Sequence, residues 1–292
     1  MHFSDLLLDT VLRYRTPLCL GLDPRWELLP LSLRQRYPES FQGKARAYEE
    51  FCARILALAE GHCGVVKVQS AFFEACGPAG MEALHQVVQM AKRRRYLVIL
   101  DAKRADIATT TEAYAEALYC VYGADAVTVN PYLGRESLEP FVTLARVLKR
   151  GVFVLVRTSN LGAKDYQDLD CGGKKLYEHV AEHVEQWARE TKGVSGFGAI
   201  GAVAGATQPE IVIHLRQLMP STIFLIPGYG AQGGVAEFLR PVFDAQGRGA
   251  IVNAARSILY ASPVDAADWE RYVERALLTA KDELARVAGL IQ

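Results

Sequence analysis

Short apolar segments alternate with longer amphipathic segments along the whole chain. Eight short runs are rich in Val, Ile and Leu, which is typical of parallel strands buried on both faces. These runs are Leu18–Leu22, Val65–Val68, Leu97–Leu100, Ala126–Val129, Val152–Val156, Phe197–Val203, Ile223–Ile226 and Ala250–Val252. Between them, apolar residues recur at spacings of three and four, which predicts helices with one buried face. Examples are Tyr48, Phe51, Ile55 and Leu58, then Leu176, Val180, Val184 and Trp187, and the stretch from Val264 to Leu290.

This even alternation predicts an α/β fold, namely a single (β/α)8 TIM barrel with an additional N-terminal helix. Because no linker or low-complexity tract interrupts the chain, we expect residues 1–292 to form one domain. An open doubly wound sheet has the same periodicity and remains the alternative. In a barrel, functional groups lie just after the strands, at their carboxyl ends. The polar residues at those positions are Asp23, Lys67, Asp101, Lys103, Asn130, Thr158, Ser159, Gln232 and Arg256.

The densest group of charges follows the third strand, in the segment Asp101-Ala102-Lys103-Arg104-Ala105-Asp106. Asp101 and Lys103 are two residues apart, so their side chains share a face for as long as the strand geometry persists. Neighbouring carboxylates can hold a lysine as an ammonium ion and set its pKa for proton transfer. The pattern therefore predicts a catalytic site. The alternative is an ordinary helix start, with Asp106 as the N-cap of a helix from Thr109 to Leu118.

A glycine-rich loop, Pro227–Gly234, follows the seventh strand. Backbone N–H groups in such a loop can bind phosphate, and the N-terminus of a following helix adds a favourable dipole. Arg256, after the eighth strand, can bind the same oxygens through two N–H groups. Loops after strands seven and eight are the recurring phosphate site of these barrels, so the sequence predicts one here. A plain turn is the alternative, since glycines serve turns as well.

Composition narrows the possible partners. The 33 basic and 33 acidic side chains balance, which gives no electrostatic footprint for nucleic acid or an anionic membrane. The apolar stretch near the N-terminus is too short for a signal peptide, and the longest uncharged run, around 194–208, is too short to span a bilayer. The six cysteines form no C-x-x-C pair, which favours free thiols in the cytoplasm.

Two further motifs match the sequence patterns of cofactor sites, but the predicted elements around them differ from those that such sites require. The segment Gly196–Gly201 reads G-x-G-x-x-G, but a helical stretch precedes it and it overlaps a strand. The segment His179–His183 reads H-x-x-E-H, but it lies on a predicted outer helix far from the strand ends. We therefore expect no dinucleotide cofactor and no metal.

Several segments together resemble the orotidine 5′-phosphate decarboxylase family, most closely its longer bacterial subfamily. The run Asp101–Ile107 with Thr110 resembles the family signature, and the resemblance extends over nearly the whole chain. Further segments that resemble the family, in the expected order, are Gly21–Pro24, Lys67–Gln69 with Ala71–Glu74, Asn130–Gly134, Thr158–Asn160, Gly205–Thr207, Pro227–Gly234 and Asn253–Ser257.

The resemblance implies a cofactor-independent lyase that converts orotidine 5′-phosphate to uridine 5′-phosphate in pyrimidine biosynthesis. It implies a charged tetrad of Lys67, Asp101, Lys103 and Asp106, with Lys103 protonating C6 of the pyrimidine and Asp101 against the substrate carboxylate. It also implies a homodimer in which Asp106 and Thr110 reach into the partner subunit's site. The implied substrate-binding residues are Asp23 and Lys67 at the ribose, Ser159 at the pyrimidine, and Gln232 and Arg256 at the phosphate beside Pro227 and Gly233.

Chemistry supports this assignment and leaves two alternatives. Loss of CO₂ from a pyrimidine leaves an unstabilised carbanion, so without a cofactor the protein must supply a positioned ammonium group and a preorganised field. Phosphate binding at a distance can drive loops after strands five and seven to close. The alternatives are a metal-dependent sugar-phosphate decarboxylase or aldolase of a related barrel, and a non-catalytic barrel that binds nucleotide phosphates.

Overall fold

A computed structural model describes residues 1–205, 208–229 and 237–291. Eight parallel strands form a closed barrel in chain order, and the last strand pairs with the first. Closure confirms the predicted (β/α)8 barrel and excludes the open doubly wound sheet. The strands are β1 (Leu18–Leu22), β2 (Val65–Gln69), β3 (Leu97–Arg104), β4 (Ala126–Val129), β5 (Gly151–Arg157), β6 (Ile200–Ala204), β7 (Phe224–Ile226) and β8 (Ala250–Ala254).

Helices alternate with these strands and cover the outside of the barrel. Those of the described residues are α1 (Phe3–Tyr14), α2 (Leu31–Arg34), α3 (Phe41–Ala59), α4 (Ser70–Glu74), α5 (Gly77–Arg93), α6 (Ala108–Glu116), α7 (Glu139–Leu148), α8 (Ala163–Tyr166), α9 (Leu176–Glu190), α10 (Pro209–Leu218), α11 (Arg256–Leu259) and α12 (Trp269–Ala288). Short 3₁₀-helices cover Trp26–Leu28, Arg135–Ser137 and Glu237–Val242, and a π-helical turn, Ala117–Val121, continues α6. None of the helices in the described ranges is long and apolar enough to cross a membrane.

The N-terminal helix α1 lies across the amino end of the barrel. Its apolar face, including Leu7 and Leu8, belongs to the same buried cluster as the inward side chains of the strands. The Phe3 ring packs edge-on against Phe153 of β5, with 6.2 Å between ring centroids. The Ser4 hydroxyl donates to the carbonyl of Phe197. Since α1 covers this end, the barrel interior is accessible from the carboxyl ends of the strands.

Most of the predicted strand boundaries shift by at least one residue in the structure, and the largest changes are at β3, which continues through Arg104, and at β6. The sixth strand was expected at Phe197–Val203, whereas β6 begins at Ile200. The chain instead turns just before this segment, where Gly196 has a φ of +85°, and Gly198 forms an isolated antiparallel bridge with Lys192. Gly198 also packs so closely on Ala188 that a Cβ would meet the Ala188 carbonyl oxygen at 2.3 Å.

The helix after β3 begins at Ala108 and not at Thr109. Its N-cap residue is Ile107, so the alternative in which Asp106 caps this helix is wrong. The Asp106 carboxylate instead accepts a hydrogen bond from the neighbouring N–H of Ile107, which turns it away from the N–H groups of the first helical turn.

Candidate active site

A cavity of about 630 Å³ lies at the carboxyl ends of the strands, within the range of small-molecule sites. It is lined by residues from all eight strands or from the segments that directly follow them, as a barrel site should be. The residues predicted from sequence that line it are Asp23, Lys67, Asp101, Lys103, Thr158, Ser159, Pro227 and Arg256.

Asp101 is the centre of the charged cluster on the cavity floor. Its Oδ2 accepts hydrogen bonds from Lys67 Nζ at 2.7 Å and Gln69 Nε2 at 3.1 Å. Its Oδ1 accepts from Lys103 Nζ at 2.5 Å and Thr128 Oγ1 at 2.8 Å. Four donors satisfy a carboxylate fully, so Asp101 is held as an anion in a fixed orientation.

Burial and neighbouring charges shift the pKa values of Asp101 and Lys67 in opposite directions, and the neighbouring charges have the larger effect. Burial alone would raise the pKa of Asp101, but the ammonium groups of Lys67 and Lys103 outweigh it and hold the pKa below its usual range. Burial likewise disfavours the charged form of Lys67, but Asp101 and Asp23 raise its pKa above the ordinary lysine value. Asp101 and Lys67 therefore stay ionised throughout the neutral range. Removing one partner of such a buried pair costs about 3–5 kcal/mol, since the other charge remains unpaired.

Lys103 has a left-handed backbone conformation with a φ of +47°. This conformation costs a residue with a side chain about 1–2 kcal/mol. It accompanies a register shift against β4, where Leu100 pairs with Val127 and Arg104 pairs with Val129. The backbone N–H of Lys103 donates to Thr128 Oγ1 at 3.0 Å, which holds the bulge. Asp101 and Lys103 do face one another, as predicted, but through this bulge and not through regular strand alternation.

Asp106 and Thr110 stand apart from the cluster. Neither is among the described residues that line the cavity of their own chain, and Thr110 is exposed. The carbonyl of Asp106 accepts a hydrogen bond from the Thr111 hydroxyl, which fixes the start of α6. One chain therefore brings together three members of the predicted tetrad, and Asp106 lies outside it.

The predicted phosphate end of the cavity is formed by β7 and β8. Pro227 and Arg256 line it, and Arg256 is an exposed side chain at the start of α11. Gln232 and Gly233 lie outside the described residues. The next described element after the glycine-rich segment is the 3₁₀-helix Glu237–Val242.

Several cavity residues were missed in the sequence. Thr128 lies in the middle of β4 and not at its end, so the strand-end rule overlooks it; a lone hydroxyl in an otherwise apolar strand was the available signal. Asn253 is 7% exposed and lines the cavity from β8. The Tyr260 hydroxyl donates to the carbonyl of Asp23 at 2.9 Å and accepts from the Arg25 N–H at 2.7 Å, which fixes the loop after β1. Asn130, by contrast, accepts from the Tyr132 N–H in a turn.

The two motifs that match cofactor patterns lie in ordinary structural elements. The G-x-G-x-x-G segment runs into β6, and the next helix, α10, begins only at Pro209. His179 contacts the carbonyl of Cys171 at 3.1 Å, His183 is exposed, and Glu182 forms an ion pair with Lys174. In the ranges that the structure describes, no three His, Cys, Asp or Glu side chains are grouped as a metal site would require.

Comparison with known proteins gives consistent matches along the chain. Residues 16–272 match the model of the family described as "Orotidine 5'-phosphate decarboxylase / HUMPS family". An orotidine 5′-phosphate decarboxylase of Rhodopirellula baltica is 42% identical, covering 97% of this chain and 99% of that protein. Another from Haloarcula marismortui is 41% identical, with coverage of 89% and 88%. The solved structure of Leishmania donovani OMP decarboxylase has a TM-score of 0.79 and 33% identity, with 99% of both chains covered. The chain therefore belongs to the orotidine 5′-phosphate decarboxylase / HUMPS family.

Proposed function

We propose that Lys103 protonates C6 of the pyrimidine in the reaction of this chain, the decarboxylation of orotidine 5′-phosphate to uridine 5′-phosphate. The observation that carries this role is the fully bonded Asp101 carboxylate, which has an ammonium group on each oxygen. Asp101 is 5% exposed and all of its acceptor sites are occupied. It therefore fixes the position of Lys103 but, as an anion, does not itself act as the proton donor. Lys103 keeps 44% of its side chain exposed toward the cavity, where a substrate can reach it.

The charge of the cavity suits an anionic nucleotide. Its described lining holds the cations Arg25, Lys67, Lys103 and Arg256 but only two carboxylates, Asp23 and Asp101. The substrate carries a phosphate and a carboxylate, so the excess of positive charge favours its binding. The Asp101 anion lies where the substrate carboxylate would approach Lys103. Repulsion there is relieved as CO₂ leaves, which favours the transition state over the bound substrate.

We assign the other contacts along the length of the nucleotide. Asp23 has a buried oxygen that, among the described residues, accepts no hydrogen bond, and Lys67 Nζ lies 3.6 Å from it. This pair is suited to a ribose hydroxyl, which can both donate and accept. Arg256 binds the phosphate together with Gln232 and the loop that contains Pro227 and Gly233. Ser159 binds the edge of the pyrimidine.

We also propose that the enzyme is a homodimer that shares Asp106 and Thr110 across its interface. Support comes from their position outside their own cavity, next to Ile107, which is 55% exposed. Mixing an Asp106→Ala variant with a Lys103→Ala variant would then create hybrid dimers with one intact site. Random pairing predicts recovery of about a quarter of the wild-type activity. No recovery after subunit exchange would contradict the shared site.

The remaining proposals concern the chain as a whole. We propose that residues 1–292 form a single domain, because α1 and α12, which come from opposite ends of the sequence, both pack on the same barrel. The Thr16 hydroxyl, just after α1, donates a hydrogen bond to the carbonyl of Lys281 in α12. We propose a cytoplasmic location, which the six free cysteines support.

A spectrophotometric assay with orotidine 5′-phosphate, with and without a chelator, tests the proposed function. We expect the same rate of uridine 5′-phosphate formation in both conditions. Loss of activity on chelation would favour the metal-dependent sugar-phosphate enzyme. Binding of uridine 5′-phosphate without any turnover of the substrate would favour the non-catalytic nucleotide-binding barrel.

A further inference from the structure

We propose that Arg157 and Asp168 form a clamp that positions the β5 loop, residues 158–175, for recognition of the pyrimidine. This inference rests on the proposed function because it takes Ser159 as the pyrimidine contact. The loop joins the end of β5 to the start of α9 and contributes Ser159, Asn160 and Gln167 to the cavity wall.

The first part of the clamp is a forked ion pair. Arg157, the last residue of β5, is 4% exposed. Its Nε donates to Asp168 Oδ1 at 2.7 Å and its Nη2 donates to Asp168 Oδ2 at 2.9 Å. Two parallel hydrogen bonds fix the carboxylate in orientation as well as in distance. The third nitrogen, Nη1, donates to the carbonyl of Thr158 at 2.5 Å, so the guanidinium joins the first residue of the loop to Asp168 within it.

The second part is a chain of hydrogen bonds that starts at Gln167, next to Asp168. Its Oε1 accepts from the Thr158 N–H at 2.8 Å, which leaves Nε2 to donate to Thr158 Oγ1 at 2.9 Å. The Thr158 hydroxyl in turn donates to Asn160 Oδ1 at 2.7 Å. The carbonyl of Gln167 accepts from the Tyr177 N–H in the first turn of α9. Gln167 is thus bonded to the strand end through its side chain and to α9 through its backbone.

Ser159 is held between this clamp and β6. The N–H of Gly205 donates to the carbonyl of Arg157 at 2.7 Å, and a Cβ on Gly205 would lie 2.7 Å from the Ser159 nitrogen. The backbone of Ser159 therefore packs directly on the end of β6. Leu161, two residues on, is 91% exposed. The contacts thus fix the cavity-lining residues of the loop, 158–160 and 167, whereas Leu161 between them projects into solvent.

The geometry suits positioning better than stability alone. A buried ion pair often contributes less stability than apolar residues of the same size, but it imposes a direction. Here that direction is imposed on the residues beside the cavity. If the clamp positions Ser159, its loss should weaken binding of the base and spare binding of the phosphate at the other end of the cavity.

The test compares Asp168→Asn with Asp244→Asn as a matched control. Asp244 pairs with Arg248 at 2.8 Å and its side chain is 28% exposed, close to the 25% of Asp168, but it does not line the cavity. Calorimetry would measure dissociation constants for uridine 5′-phosphate and for ribose 5-phosphate. We expect Asp168→Asn to weaken the nucleotide about tenfold and ribose 5-phosphate less than twofold. The control should change neither, and Arg157→Lys, which keeps the charge without the fork, should show the same selectivity as Asp168→Asn.

Two further measurements make the proposal falsifiable. In a Ser159→Ala background the tenfold effect of Asp168→Asn should disappear, because both changes remove the same contact. In the unliganded protein, amide hydrogen exchange of residues 159–166 should accelerate in Asp168→Asn but not in the control. The clamp would be overturned if Asp168→Asn weakened the binding of uridine 5′-phosphate and ribose 5-phosphate equally. It would also be overturned if the effects of Asp168→Asn and Ser159→Ala on the dissociation constant multiplied, or if amide exchange of residues 159–166 were unchanged. Because exchange needs no ligand, failure of the proposed function leaves this last result intact.

Discussion

Replacing Thr128 by valine tests how the structure holds its proton donor. The Thr128 hydroxyl makes two bonds, donating to Asp101 Oδ1 and accepting from the backbone N–H of Lys103. A hydrogen bond to a charged group contributes about 1.5–3 kcal/mol and one between neutral groups about 0.5–1.5 kcal/mol. Because valine keeps the shape of threonine, Thr128→Val should lower the free energy of unfolding by about 2–4 kcal/mol.

The same substitution should slow catalysis more than it weakens binding. The left-handed backbone of Lys103 costs about 1–2 kcal/mol, and the bond to Thr128 offsets about 1 kcal/mol of it. Without that bond the backbone is free to relax and move the ammonium group. A displacement of about 1 Å reduces the rate by about 100-fold. We therefore expect kcat to fall about 100-fold with little change in the affinity for uridine 5′-phosphate.

Steady-state kinetics and urea unfolding of the variants provide the assay, with Thr128→Ser as the control that keeps the hydroxyl. Thr128→Ser should retain most of the wild-type kcat. The reasoning would be refuted if Thr128→Val kept the wild-type kcat and stability, or if the serine variant were as impaired as the valine variant.

Three other predictions follow from the same site. Because the pKa of Asp101 lies below the value of about 3.9 in an unfolded chain, its charge stabilises the fold above that pH and ceases to do so as the pH falls through the folded-state pKa. Urea unfolding should show the advantage of wild type over Asp101→Asn shrinking as the pH is lowered below about 4; an unchanged advantage would contradict the ion pairs. Gly205→Ala should displace the β5 loop and weaken nucleotide binding, whereas Gly162→Ala, whose Cβ would have its nearest contact at 3.4 Å, should not; equal binding by both would count against the close packing. Arg256→Ala should weaken uridine 5′-phosphate about 100-fold but leave uridine unchanged in calorimetry, and parallel losses would argue against a phosphate contact.

The barrel was predictable from sequence because its strands are buried on both faces. A continuous apolar run such as Val152–Val156 is typical of a parallel strand buried on both faces, and the charges that follow such runs mark the functional end. The start of β6 was not predictable, because the path of residues 197–199 depends on how closely Gly198 packs on Ala188 of α9. That contact joins distant segments and leaves no local pattern.

Within the site, sequence indicated the charged residues but not the groups that orient them. Asp101 and Lys103 stand out as charges after an apolar strand. The bulge that turns Lys103 toward Asp101 depends on Thr128, which comes from the next strand and is 1% exposed. The Arg157–Asp168 pair was missed for a similar reason: its residues are eleven apart, and only the folded loop brings them together.

The most direct test of the central claim is turnover of orotidine 5′-phosphate by purified Lys103→Ala, measured beside its affinity for uridine 5′-phosphate. Asp101 retains the ion pair with Lys67 in this variant, so the cavity should still form and bind the product. We predict that decarboxylation is abolished while the dissociation constant for uridine 5′-phosphate changes by less than about tenfold, the effect of one lost charge–charge contact near the surface. Decarboxylation at close to the wild-type rate would contradict the assignment of Lys103 as the proton donor.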